Sequence, residues 1–239
     1  MTVLESAQLF GAATRRRRAY RWIVLAAVVA VVALVVWVVW FSSLLTVREV
    51  RVLGTTTVSA DQVRTAADVP SSIQLARVDA DGIASRIEAI PRVRSVEVRR
   101  GWPDVLVLVV TERTPIAVTR VGTTLTYLDD TGARFGSVSV APNGMPLVVA
   151  SDEVATGAAL AVVDALPKAL RDTVATVTAT TRDDVVLTLD DRVTVRWGSA
   201  EQSDRKAAVL ASLLRVKAAS YDVSAPDLPT SRGSAPPAR

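Results

Sequence analysis

The sequence predicts an α+β protein: a single transmembrane helix, then a small β-α-α-β-β domain, then a second mixed, strand-rich domain with two helices. Three observations lead there. The run Trp22 to Phe41 carries no charge at all. Between Val47 and Thr111, short strand patterns flank two capped amphipathic helices. From about Thr114 onward, β-branched runs alternate with turn residues. The expected boundaries are 1–21 for a cytoplasmic tail with a basic cluster, 22–41 for the membrane helix, 46–113 and 114–224 for the two domains, and 225–239 for a disordered tail.

A helix of about 20 residues is about 30 Å long, the thickness of a bilayer's hydrocarbon core. Arg15, Arg16, Arg17, Arg18 and Arg21 stand on one side of the apolar run only. The excess of cations on one flank predicts a cytoplasmic N-terminus and an extracytoplasmic bulk. A cleavable signal peptide has a shorter apolar run and a small-x-small exit. Here the exit is Trp37, Trp40, Phe41, Ser42, Ser43, Leu44. A buried core helix is the other alternative, but aromatics at both ends (Tyr20 and Trp22, then Trp37, Trp40 and Phe41) are the pattern of interfacial anchors.

The formal net charge of +4 resides in that N-terminal segment, where five arginines face Glu5; the remaining 23 basic and 23 acidic residues cancel. No basic face is left for nucleic acid. With no His and no Cys, imidazole and thiolate chemistry, their metal sites and disulfides are all absent. No cofactor motif occurs. Ser203-Asp204-Arg205-Lys206 fits the S-x-x-K pattern of penicillin-binding enzymes, yet K-T-G and S-D-N are missing. Val209, Leu213 and Val216 give that stretch an ordinary helical spacing.

In the first domain, Val47 to Leu53 alternates as a strand and ends at Gly54. Ser59-Ala60-Asp61-Gln62 is a capping box opening one helix. Asp79 caps a second, which carries Ile83, Ile87 and Ile90 on one face until Pro91. Val96 and Val98 alternate, a turn follows at Arg100 to Asp104, and Val105 to Thr111 is an apolar strand. In the second domain, Ile116, Val118 and Arg120 alternate, and Leu125, Tyr127 and the turn Asp129 to Gly132 form a hairpin. Leu147 to Val149 adds a strand. Leu160, Val163, Leu166 and Leu170 line a helix interrupted by Pro167. Three strands (Val174 to Thr178, Val185 to Leu189, Val193 to Trp197) precede a helix that a capping box at Ser199 is expected to open and that runs to Ala218. Ser220 to Val223 is the expected last strand.

The β-α-α-β-β order behind a single anchor resembles a POTRA domain, and the detailed wording resembles the FtsQ/DivIB family of bitopic cell-division proteins. The residues that carry the resemblance are Val50, Val52 and Gly54; Ile83, Ile87 and Pro91; Trp102-Pro103; Glu112 to Pro115; Asp129 to Gly132 with Phe135; Val195 to Gly198 with Lys206; and Tyr221 to Val223. The resemblance implies a non-enzymatic scaffold of the divisome at the division septum. It implies FtsB/DivIC-like and FtsL-like partners and control of septal peptidoglycan synthases. A translocation-type POTRA chaperone is a further alternative, but it would normally carry several POTRA units and a barrel. As the last strand before a proline-rich tail, Ser220, Tyr221, Asp222 and Val223 are expected at a sheet edge guarded only by Asp222, either open or covered by the chain's own tail. The resemblance implies that this edge receives a partner strand, with Tyr221 as the aromatic anchor.

Overall fold

The computed structural model describes residues 7–41, 45–71 and 73–233. The chain divides into two compact units, Met1–Ile90 with Ser95–Thr111, and Pro91–Arg94 with Glu112–Arg239.

The first unit begins with α1, Ala7–Phe41. The apolar window Tyr20–Val38 has a mean hydropathy of 2.6 and none of it is buried, so the helix is long and apolar enough to cross a membrane. α1 starts 15 residues before Trp22, so residues 7–21 continue the same helix; residues 1–6 lie outside those described.

Three strands follow: β1 (Glu49–Leu53), β2 (Val93–Gly101) and β3 (Val105–Glu112). Their order is β1-β3-β2, with β1 parallel to β3 from Glu49↔Val105 to Leu53↔Val109. α2 (Ala60–Ala67) is capped by Ser59, whose side chain accepts from the Gln62 N–H at 3.1 Å. α3 (Ala80–Glu88) is capped by Asp79, which accepts from the Gly82 N–H at 3.0 Å. Such caps satisfy N–H groups that the first helical turn cannot. Ile83 and Ile87 are buried with Val63, Ala67, Leu106, Leu108 and Val110, whereas Ile90 lies past the end of α3 and is half-buried. Gly54 has φ +84°, and a Cβ there would lie 2.2 Å from the Val110 carbonyl oxygen, so this turn requires glycine.

The second unit is built on one nine-stranded sheet. Its strands are β4 (Ala117–Val121), β5 (Thr124–Leu128), β6 (Arg134–Val138), β7 (Leu147–Ala150), β8 (Val174–Thr181), β9 (Asp184–Leu189), β10 (Thr194–Gly198), β11 (Ser220–Asp222) and β12 (Thr230–Arg232). The order is β12-β11-β10-β9-β8-β7-β4-β5-β6. α4 (Glu153–Ala165) is capped by Asp152 and ends before Pro167, whose missing N–H stops the helix. The short α5 (Lys168–Arg171) follows. α6 (Ser203–Leu213) starts three residues later than the capping box at Ser199 predicts. Gln202 holds φ +55° before it, so residues 199–202 form a turn and Gln202 makes no side-chain cap. α4 and α6 cover one face of the sheet, burying Val177, Val185, Leu187, Val195, Trp197, Leu210 and Val223 in a single core.

β12 corrects the expectation of a disordered tail from residue 225. Thr230, Ser231 and Arg232 pair antiparallel with Asp222, Tyr221 and Ser220. Residues 234–239 lie outside those described.

Candidate functional site

Side chains alternate across a strand, so β9 to β12 have two faces with different chemistry. On the covered face stand Val185, Leu187, Val195, Trp197 and Tyr221. On the open face the registers Arg196↔Asp222↔Thr230 and Thr194↔Ser220↔Arg232 set polar side chains in two rows. With Asp184 and Val186 they line a shallow groove of about 370 Å³.

Asp222 is the organising charge of this groove. Its Oδ1 accepts from the Ser224 N–H at 3.0 Å and the Ser224 hydroxyl at 2.6 Å. Partial burial pushes its pKa up, but those two bonds and the nearby Arg196 and Arg232 cations outweigh it and hold the carboxyl below the usual Asp value. Asp222 is thus ionised between two arginines, and the groove presents both signs of charge.

The free edge of the sheet at this end is β12, and all three of its residues are exposed. A strand at a sheet's edge offers its outward N–H and C=O groups to another chain. The segment before β12 is tied to α6 by an ion pair between Arg205 and Asp227. At the strand's other end, the Ala219 N–H donates to the carbonyls of Arg232 at 3.0 Å and Gly233 at 3.4 Å.

This placement corrects part of the sequence expectation. Ser220 to Val223 is not the edge, because the chain's own β12 covers it. Tyr221 is only 3% exposed, so it is a core residue and not a surface anchor. Its hydroxyl donates to the Val216 carbonyl at 2.5 Å and accepts from the Ala218 N–H at 3.1 Å. Val223 is fully buried beside it. Ser220 and Asp222 do lie on the open face. The residues that sequence reasoning missed are Thr230, Ser231 and Arg232; the only local signal for them is a polar triplet between Pro229 and Gly233.

Ser203 and Lys206 are both buried but are not joined to each other. The Ser203 hydroxyl accepts from the Trp197 indole N–H at 3.1 Å and donates to the Ala200 carbonyl at 2.8 Å. The Lys206 ammonium donates to the Ser199 carbonyl at 2.8 Å. Burial lowers the Lys206 pKa against the opposing pull of Glu201. The pair locks the β10–α6 turn to the core.

A second polar cluster joins two stretches that the sequence marks separately. Asp129 is fully buried and accepts from Arg113 at 2.6 Å, from the Thr131 hydroxyl and N–H at 2.6 and 2.9 Å, and from the Ala133 N–H at 3.0 Å. Burial raises its pKa, but these bonds more than offset that and the net direction is down. The cluster fixes the β5–β6 turn. Arg15, Arg16, Arg17, Arg18 and Arg21 fall within α1; Arg21 is exposed, and the side chains of the other four are outside those described.

An N-terminal apolar helix, one β-α-α-β-β unit and a strand-rich unit with an open edge define a POTRA protein of the single-anchor class. Residues 45–113 match the POTRA domain of FtsQ type, and residues 117–228 match the C-terminal domain of the cell division protein FtsQ/DivIB. The chain is similar to the cell division protein FtsQ of Streptomyces collinus, 36% identical over 242 residues that span 93% of this chain and 91% of the relative. It is similar to FtsQ of Streptomyces coelicolor, 38% identical over 204 residues, 77% of each chain. Among solved structures, the major extracytoplasmic domain of DivIB from Geobacillus stearothermophilus aligns at 23% identity and a TM-score of 0.35, over 44% of this chain and 98% of that one. The chain belongs to the FtsQ/DivIB family of bacterial cell division proteins. Its role lies in the division machinery, in a family of scaffolds.

Proposed function

We propose that this protein is a bitopic, non-enzymatic scaffold with residues 1–21 in the cytoplasm and both folded units outside. It docks FtsB/DivIC-like and FtsL-like partners at the free end of the nine-stranded sheet and through them governs septal peptidoglycan synthesis. The observation that carries this reading is the exposed edge strand β12 beside the Arg196–Asp222–Arg232 groove. A partner segment adds a strand through main-chain bonds to β12, and the charged open face sets its register. Arginine asymmetry supports the orientation.

The docking test is the affinity of the full-length protein for the extracytoplasmic segments of both partner types. Ser231→Pro removes the main-chain donor that β12 turns away from β11, a place where proline is tolerated structurally. Affinity falls at least tenfold while the melting temperature holds; unchanged affinity for both partners moves the site elsewhere. The orientation test uses the absence of native cysteine. A cysteine at Val140, which is 75% exposed, reacts with an impermeant thiol reagent in intact cells, and one at Ser6 does not. The reverse labelling pattern overturns the topology.

A further inference from the structure

We propose that the end of the first unit nearest α1 rests on the lipid headgroup interface, with Trp102 as its anchor. Trp102 occupies the β2–β3 turn and is 54% exposed, with exposed Pro103 beside it. Within the first unit, outside α1, the only other large apolar residue so exposed among the described residues is Leu53, at the far end of β1. An exposed tryptophan next to a membrane helix has an obvious destination, because its flat ring and single N–H suit the bilayer interface better than water.

The hydrogen bonds fix which end of the unit Trp102 belongs to. The N–H groups of Arg48 and Glu49, where β1 begins, donate to the Asp104 carbonyl at 2.9 and 3.3 Å. Just before them, Val47 N–H donates to the Ile73 carbonyl at 2.8 Å and Thr46 bridges Gln74. The β2–β3 turn and residues Ile73 and Gln74 therefore stand where the chain arrives from α1. Thr46 lies five residues beyond Phe41, so even fully extended chain places this end within about 18 Å of the helix terminus. Trp102 is two residues from Asp104, adding at most about 7 Å. The charges at this end agree: Arg48 is exposed, the Arg100 guanidinium is committed to the Leu75 and Val78 carbonyls at 3.0 and 2.8 Å, and Asp104 is only partly exposed. The available cation suits lipid phosphate.

The inference rests on α1 lying in the bilayer, and the experiment separates the two. The full-length protein is reconstituted into vesicles of phosphatidylglycerol and phosphatidylcholine, the latter brominated along its acyl chain near the headgroup. Bromine quenching of Trp22, Trp37 and Trp40 in a Trp102→Phe chain establishes insertion of α1. A variant with those three changed to Phe retains Trp102 and the fully buried Trp197. In it, bromolipid quenches a substantial share of the remaining emission, and adding Trp102→Phe abolishes that quenching. As a second route, Trp102→Cys in the otherwise native chain is labelled with an environment-sensitive fluorophore and quenched by headgroup-labelled nitroxide lipid, while Leu53→Cys is not. Insertion of α1 with no quenching at position 102, or equal quenching at 53 and 102, overturns the proposal.

Discussion

The two faces of the strands β9 to β12 come from the same residues in alternation and do opposite work. Val185, Leu187, Val195, Trp197, Tyr221 and Val223 are buried under α4 and α6. Asp184, Thr194, Arg196, Ser220 and Asp222, one position away in each case, line the open groove together with Thr230 and Arg232 of the exposed β12. The difference assigns stability to one face and leaves the other, which we propose for recognition, polar and open, and a single-residue step along a strand crosses between them.

The largest effect belongs to Trp197, which is fully buried and hydrogen-bonded to Ser203. Trp197→Ala costs about 3–5 kcal/mol of unfolding free energy. Its neighbour Arg196, replaced by Ala, changes stability by less than about 0.5 kcal/mol. Denaturant titration of the two variants checks both; equal losses would dissolve the distinction between faces.

Tyr221 sharpens the same point. Tyr221→Ala lowers stability by an amount in the range of other aromatic-to-Ala core changes, about 3–5 kcal/mol. Tyr221→Phe keeps the ring but abandons the Val216 carbonyl and the Ala218 N–H, at about 1 kcal/mol. A Tyr221→Ala protein that melts normally would return this residue to the surface.

Acid sharpens the comparison through a buried carboxylate. Asp129 titrates below its ordinary value in the folded chain, so it contributes stability above the unfolded Asp value of about 3.9. That contribution is lost as pH falls further, through the folded value. Asp129→Asn therefore shows a flatter acid limb in melting temperature than the native chain. An unchanged acid limb shows that the Arg113–Asp129 cluster is not coupled to folding.

The smallest effect on stability is expected on the open face. Arg196→Glu places a third carboxylate beside Asp184 and Asp222, leaves the melting temperature within a few degrees, and weakens partner binding through like-charge repulsion. Binding unchanged at low salt would confine recognition to the β12 edge.

Much of this architecture was legible locally. Ser59 and Asp79 announce their helices because a cap is made within three residues of itself. The β9–β10 hairpin and the Pro167 break follow from alternation and from proline's missing donor. What was not legible is non-local. The sequence places Tyr221 and Val223 on one face, but only the packing of α6 decides that this face is the core. Ser199 opens a capping box by composition, and the left-handed Gln202 moves the helix start to Ser203. Thr230-Ser231-Arg232 has no strand propensity to speak of, and it becomes a strand because β11 offers it an unpaired edge. The Ser203/Lys206 spacing was visible, but not the Trp197 indole that engages the serine.

The parallel pairing of β1 with β3 bears on mechanics. The chain enters β1 at Glu49 from α1 and leaves β3 at Glu112 toward the second unit, and the two strands run in the same direction. Tension between the bilayer and the second unit is therefore applied at opposite ends of the paired ribbon, along the strands. The ladder from Glu49↔Val105 to Leu53↔Val109 is loaded in shear, so its bonds must yield together instead of opening one after another. Pulling apart the two ends of this domain therefore loads the β1–β3 ladder in shear and does not unzip it.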